Sequence, residues 1–154
     1  LPVLVGGNGP KRTIPMVARY ADIWNCQIAP PEVFKERSDL LDELLIKEGR
    51  RPEDVKRTVM VPVLCWRTDQ EFEEMAQALR DAYPSWAETS TEQLLGYLRQ
   101  YFAALAGHPD EVREQLRRYA AAGADEFIVQ WYPLDSVRGV EILAEELLPE
   151  ITAA

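Results

Sequence analysis

The 154-residue chain carries 17 lysines and arginines against 26 aspartates and glutamates, which gives a formal net charge of −9 at pH 7. Such an acidic balance argues against a nucleic-acid binder, and no apolar run is long enough for a membrane helix. One histidine, and two cysteines outside any CxxC spacing, argue against most metal centres and histidine-based triads. We therefore expect a cytoplasmic protein that acts on a small molecule and binds neither nucleic acid nor membrane.

The first fifty residues predict strand, helix, strand and helix in that order. Short apolar runs predict strands at residues 2–5 and 22–26. Pro15 falls inside the first helical pattern, so this helix is expected to begin at Thr13, which would serve as its cap. The second helix follows Pro30-Pro31 and stops at Gly49. One stripe of this second helix carries six residues, an arginine among them: Val33, Arg37, Leu40, Leu41, Leu44 and Leu45.

The remaining chain predicts strand, three helices, strand and helix. The third strand is expected at residues 59–65, although Pro62 counts against it. Thr68 and Glu71 have the spacing of a reciprocal cap that starts a helix. Further helices are expected at about residues 91–106 and 109–122, a fourth strand at 127–131, and a last helix capped by Ser136. Strands that alternate with amphipathic helices predict parallel pairing through right-handed crossovers.

Two α/β architectures fit four such strands. One is a small open flavodoxin-like sheet, which normally has a fifth strand. The other is four of the eight units of a (β/α)8 barrel, a fold of about 250 residues. The chain starts inside a predicted strand, which favours the half barrel and suggests the back part of a longer protein. On this interpretation residues 1–154 are one incomplete barrel domain.

The sharpest local signal is the glycine turn, which we define as residues 6–9, Gly6-Gly7-Asn8-Gly9. A glycine-rich turn between a strand and a helix lets backbone N–H groups approach an anion, with Lys11 and Arg12 adding positive charge. A tight turn that needs positive φ and binds nothing explains the same residues equally well. The P-loop spacing is absent, and Arg12 stands where a dinucleotide fingerprint needs its third glycine.

Other residues carry weaker signals. Trp24, Trp66 and Trp131 fall at the carboxyl ends of predicted strands, where such folds bind ligands, but large aromatic residues also close the end of a core. His108 lies between two helices and is expected to be a loop or cap residue. Cys26 and Cys65 are expected to be buried side chains and not nucleophiles. These residues supply no complete catalytic set and no metal site.

Four stretches, in their order along the chain, resemble luciferase-like monooxygenases. They are PVLVGG at 2–7 with RYADIWN at 19–25, GRRPEDV at 49–55, GHPDEV at 107–112, and YAAAGADEF at 119–127. His108 departs from the small hydroxyl residue usual at its position. The branch that the chain resembles most is the oxidoreductases that use the deazaflavin coenzyme F420, with FMN-using members as the alternative.

The resemblance implies the carboxyl-terminal half of a (β/α)8 barrel, strands five to eight, with a helical insertion before the last strand. It implies that Gly6 and Gly7 contact the cofactor's phosphate, with Asn8, Gly9 and Thr13 as weaker candidates. It also implies a homodimeric full-length enzyme that passes hydride between F420, or FMN, and an organic substrate. The residues that perform the chemistry would lie in the other half of the barrel, so this chain alone would be inactive. The alternative is a non-catalytic half barrel that binds an anionic ligand or a protein partner.

Overall fold

The computed structural model describes residues 1–131 and 137–148, and it contains five strands and six helices within them. In chain order these are β1 (Leu4–Gly6), α1 (Thr13–Tyr20), β2 (Ile23–Gln27), α2 (Pro31–Lys47), β3 (Lys56–Cys65), α3 (Asp69–Ala82), α4 (Thr91–Phe102), β4 (Leu105–Gly107), α5 (Pro109–Ala121), β5 (Glu126–Gln130) and α6 (Arg138–Glu146). Single 3-10 turns lie at Pro52–Asp54 and Pro84–Trp86. The predicted cap Ser136 lies outside the described residues.

The chain forms two compact units. The first consists of Leu1–Val61 and Arg117–Ile128, and the second of Pro62–Leu116 with the described part of Val129–Ala154. The predicted α/β class with parallel strands is confirmed, because β1 pairs with β2, β2 with β3, and β3 with β4, all in parallel. Among the described helices none is long and apolar enough to cross a membrane.

In the first unit the sheet runs β1-β2-β3, with β5 also paired to β3. Gly6 lies opposite Asn25, and β2 faces the stretch from Lys56 to Met60. The core between sheet and helices holds a run of aromatic rings in which Trp24 stacks on Phe34, with ring centroids 5.4 Å apart. Each such side chain contributes about 1.5–3 kcal/mol by leaving water, so these contacts hold α2 firmly on the sheet.

In the second unit β4 extends the end of β3, where Val63, Leu64 and Cys65 pair with Leu105, Ala106 and Gly107. Pro62 is tolerated because it lies between the part of β3 that pairs with β2 and the part that pairs with β4. The core is formed by Leu64, Trp66, Met75, Ala76, Leu79, Leu94, Leu98, Ala104 and Ala106.

Two predictions of local structure are wrong. The helix expected at 91–106 ends at Phe102, because Ala103 takes the left-handed conformation at φ 49° and the chain then enters β4. Thr13 is not a cap: it is the first residue of α1, Arg12 precedes it, and no side chain caps that helix. The reciprocal cap of Thr68 and Glu71 is confirmed, with Thr68 Oγ1 accepting from Glu71 N at 3.2 Å.

Candidate functional site

The glycine turn connects the carboxyl end of β1 to the start of α1 and lies wholly within the first unit. Gly7 has φ +117°, a conformation that L side chains rarely adopt, so the turn needs glycine there. Its N–H donates to the carbonyl of Asn25 at 3.0 Å, as the last rung between β1 and β2. The N–H of Gly7 is therefore not available to a ligand, although Gly7 is among the predicted phosphate contacts.

Thr13 packs over the glycine turn and supplies a second reason for its composition. A Cβ at Gly9 would lie 3.0 Å from Thr13 Oγ1, and a Cβ at Gly7 would lie 3.4 Å from Thr13 Cγ2. A side chain at Gly9 would press against Thr13, whereas one at Gly7 would be strained by the positive φ. Gly7 and Gly9 thus have a structural explanation, and their presence alone does not decide between a ligand site and a simple turn.

Asn8 fixes the glycine turn to β2 through its side chain. Nδ2 donates to the carbonyl of Gln27 at 2.5 Å, and Oδ1 accepts from the N–H of Gln27 at 3.0 Å. The amide thus takes the place of a strand residue in the ladder where the backbone turns away. Both polar atoms of the amide thus hold the turn against β2, while the backbone N–H of Asn8 remains without a partner among the described residues.

The carbonyl groups of the turn are also held. The Trp24 indole Nε1–H donates to Gly7 O at 2.9 Å, Arg37 Nε donates to Asn8 O at 3.2 Å, and Ile14 N donates to Gly9 O at 3.0 Å. In contrast, the N–H groups of Asn8 and Gly9 donate to no group within residues 1–131 and 137–148, nor does the Thr13 hydroxyl. The turn therefore presents two backbone donors and one hydroxyl to a ligand.

The electrostatics around the turn favour an anion. Lys11 and Arg12 are exposed beside it, and the amino terminus of α1, with its partial positive charge, begins at Thr13. Arg37 of α2 also reaches the turn; its side chain is only 20% exposed, and its Nη1 pairs with Glu36 at 2.5 Å, which offsets part of its charge. Arg37 was not among the candidates from sequence. The available signal was an arginine on the otherwise apolar stripe of this helix.

The three tryptophans predicted at the carboxyl ends of strands pack against hydrophobic cores, and the prediction is wrong for Trp24, which is the second residue of β2. Trp24 is fully buried inside β2, and Trp66 is 5% exposed and stacks on Phe72 at 4.1 Å between ring centroids. Trp131 is partly buried against the core of the second unit. These contacts favour packing over ligand binding for all three.

The end of β3 in the second unit carries an ion-pair network. Arg67 Nη2 lies 2.7 Å from Glu145 Oε2 and 2.6 Å from Glu146 Oε1. Glu71 accepts hydrogen bonds from the backbone N–H of Arg67 and from the Arg138 guanidinium, which together hold the pKa of Glu71 below its ordinary value. The pair of Glu71 and Arg138 joins α3 to α6, so we assign this network a structural role.

His108 and the cysteines have the structural roles expected from sequence. The His108 N–H donates to Glu111 Oε2 at 2.8 Å, and its carbonyl accepts from Val112 N, so it caps α5 through its backbone. Cys26 and Cys65 are free and buried. Burial raises the pKa of Cys26 to about 12 and that of Cys65 to about 11, which keeps both thiols protonated and unreactive at neutral pH. No cluster of histidine, cysteine and carboxylate side chains within the described residues could hold a metal.

A groove in the first unit lies at the end of the sheet opposite to the glycine turn. This open groove of about 670 Å³ is lined by Lys35, Asp39, Asp42, Lys56, Arg57 and Asp125, among others. Its cations are neutralised, because Arg57 pairs with Asp42, Lys35 with Asp39 and Lys56 with Glu126. The groove therefore lacks the uncompensated charge that would favour an anion, and ligands of parallel α/β sheets bind at the other end of the strands.

Comparison with known proteins identifies relatives of this fold. The family model described as luciferase-like monooxygenase matches residues 1–126. The coenzyme F420-dependent tetrahydromethanopterin reductase from Methanopyrus kandleri has a similar structure, with a TM-score of 0.70 and 15% identity over 97% of this chain and 50% of that one. Riboflavin lyase, solved with modified FMN and riboflavin, has a TM-score of 0.72 and 15% identity over 97% of this chain and 42% of that one.

A third similar structure is the EDTA monooxygenase from Chelativorans sp. BNC1, with a TM-score of 0.68 and 15% identity over 99% of this chain and 44% of that one. The chain thus spans half or less of the length of these solved structures. No curated protein sequence matches it significantly. At these identities the structural matches establish the fold alone.

Proposed function

The chain belongs to the luciferase-like monooxygenase family, and from this premise we propose that it is the carboxyl-terminal half of a (β/α)8 oxidoreductase that uses F420, with FMN as the alternative. Similar structures include an F420-dependent reductase and an enzyme solved with modified FMN, which supports a deazaflavin or flavin without distinguishing them. F420 is put first because the sequence resembles that branch of the family most.

The residues of the glycine turn fit the phosphate end of either cofactor. Asn8 and Gly9 offer backbone N–H groups without a partner in the described residues, and Thr13 offers its hydroxyl beside them. Lys11 and Arg12 supply compensating charge at the start of α1. Gly6 and Gly7 would then serve by keeping side chains away from the phosphate, since Gly7 already donates its N–H to Asn25.

A bound deazaflavin or flavin would supply the hydride chemistry, and this chain's own residues would hold and orient the phosphate end. We place no catalytic residue on the chain. The residues around the reacting ring and the organic substrate would come from the barrel units that the chain does not contain, and the full-length enzyme would be a homodimer. The isolated chain is accordingly expected to bind the cofactor weakly and to show no turnover.

The observation that carries this proposal is a family match over residues 1–126 together with unpartnered donors at the carboxyl end of β1. The test is to titrate the purified chain with FMN and riboflavin, and with F420 and its phosphate-free deazaflavin chromophore, by isothermal calorimetry. The phosphate-bearing member of each pair should bind at least about tenfold more tightly, because charge-assisted hydrogen bonds contribute roughly 1.5–3 kcal/mol.

Two results would overturn the proposal. Equal affinity within both pairs would mean that the turn does not recognise phosphate. Steady turnover of reduced cofactor by the 154-residue chain, with a panel of organic acceptors, would mean that the catalytic residues are present after all. A tighter binding of one phosphate-bearing cofactor would decide between F420 and FMN.

A further inference from the structure

The two peptide units inside the glycine turn have a fixed orientation. A trans peptide is planar, so the carbonyl of one residue and the N–H of the next point in opposite directions. The described backbone contains no cis bond. Whatever holds the carbonyl of Gly7 therefore aims the N–H of Asn8, and whatever holds the carbonyl of Asn8 aims the N–H of Gly9.

Each of these carbonyls is held by one side chain from a neighbouring element. The Gly7 carbonyl accepts from the indole of Trp24, which is fully buried, so the N–H of Asn8 points away from the core. The Asn8 carbonyl accepts from Nε of Arg37, so the N–H of Gly9 points away from α2. Neither N–H has a partner within residues 1–131 and 137–148.

We propose that Trp24 and Arg37 are positioning residues of the phosphate site: they hold two carbonyls of the glycine turn and thereby present the N–H groups of Asn8 and Gly9 to the anion. This inference rests on the function proposed above and adds residues that do not themselves touch the ligand. A carbonyl that accepts a hydrogen bond also polarises its peptide unit, which makes the N–H at the other end a better donor.

Arg37 could act in either of two physical ways, and side-chain geometry separates them. Its positive charge, partly offset by the ion pair with Glu36, would attract an anion at a distance, whereas its Nε–H orients one peptide. Glutamine carries Nε2 three bonds beyond Cβ, at the position of arginine Nε, and has no charge. Arg37→Gln therefore keeps the donor without the charge, while Arg37→Met keeps the aliphatic stem and loses both. At 0.15 M salt the charge effect is reduced, because the Debye length is about 8 Å.

The experiment is a titration of the uniformly ¹⁵N-labelled chain with inorganic phosphate at 0.15 M salt, followed amide by amide in two-dimensional NMR spectra. In the wild type the Asn8 and Gly9 amides should shift with one common dissociation constant. Arg37→Met should weaken phosphate binding about fivefold to tenfold and remove the Gly9 response, as expected for one misaligned hydrogen bond. Arg37→Gln should stay within about twofold of the wild type.

Two further variants complete the design. Lys35→Met removes one charge from the same helix, away from the turn, and should leave the affinity unchanged within about twofold. Trp24→Phe keeps a ring against Phe34 but loses the indole N–H, so it should remove the Asn8 response while the Gly9 response persists. Each variant should thus lose the response of one amide and keep that of the other, a result that a general loss of stability would not produce. If one variant fails to fold, the other still tests the inference.

The outcomes separate this inference from the proposed function. If neither amide of the wild type responds to phosphate, the proposed phosphate site itself is wrong. If the wild type responds and Arg37→Met binds equally well, Arg37 does not position the turn. If Arg37→Gln is as weak as Arg37→Met, Arg37 acts through its charge and the orientation argument is overturned.

Discussion

Replacing Asn8 with alanine removes the two hydrogen bonds that join the glycine turn to β2. Asn8 Nδ2 lies 2.5 Å from Gln27 O, and Oδ1 lies 3.0 Å from Gln27 N. A neutral hydrogen bond contributes about 0.5–1.5 kcal/mol, and water can reach both partners here, so the loss in unfolding free energy should be about 1–2 kcal/mol. Urea unfolding followed by circular dichroism measures this difference.

A matched control and a local probe make the Asn8 test specific. Gln70 donates its amide to Glu74 at 2.8 Å on an exposed helix face, and Gln70→Ala should change stability by less than about 0.5 kcal/mol. In Asn8→Ala the amide proton of Gln27 should exchange faster, whereas that of Gly7, bonded to Asn25, should keep its protection. Unchanged stability together with unchanged exchange at Gln27 would refute the role of Asn8 as a rung of the ladder.

Three further results are expected. Gly7→Ala should cost about 2 kcal/mol in unfolding free energy and weaken phosphate binding, whereas Gly49→Ala, at φ +74° with open space around it, should cost about 1 kcal/mol without affecting phosphate. Glu71→Gln should be less stable than the wild type at pH 7, and the difference should shrink as pH falls below 4.5: a lowered pKa stabilises the fold above the unfolded value, and this stabilisation disappears as the carboxylate is protonated. The chain should associate in solution, because β1 pairs only with β2 among the described residues, and Leu4 of β1 and the preceding Val3 are exposed apolar side chains.

A specific outcome would contradict each of these three predictions. Equal effects of the two glycine variants on phosphate affinity would show that Gly7 matters only for backbone strain. A stability difference at Glu71 that does not change between pH 7 and pH 3 would show that its charge is irrelevant to the fold. Light scattering on a size-exclusion column that reports a monomer throughout the micromolar range would show that the edge of β1 is protected.

Much of the fold follows from local sequence rules, and the predictions that are wrong concern elements whose structure depends on tertiary contacts. The starts of α2 and α3 were predictable because Pro30-Pro31 and the Thr68–Glu71 cap act within one turn. The strand β4 was not, since Leu105 follows Leu98 at helical spacing. The helix instead ends at Phe102 because Leu105–Gly107 pairs with β3, and no glycine marks the change.

The position of the candidate site could be predicted from the sequence, but the hydrogen bonds that hold it could not. The glycine pattern located the turn between β1 and α1, since positive φ at Gly7 leaves a signature in the sequence. The sequence could not show that the Asn8 amide is hydrogen-bonded to Gln27, or that Arg37 reaches the turn from α2. Both contacts join residues 19 to 29 positions apart. Such pairs depend on how helix and sheet pack, which no local pattern specifies.

The central claim, that this chain is half of a barrel enzyme, is tested most directly by the length of the native polypeptide. Intact-mass spectrometry of the protein isolated from its own cells, identified by peptides from residues 1–154, measures that length. Because the chain covers 50% or less of its structural relatives, we expect about 300 residues or more, the size of a complete barrel with insertions. A native polypeptide of 154 residues would contradict the claim and favour a half barrel that works without catalysis.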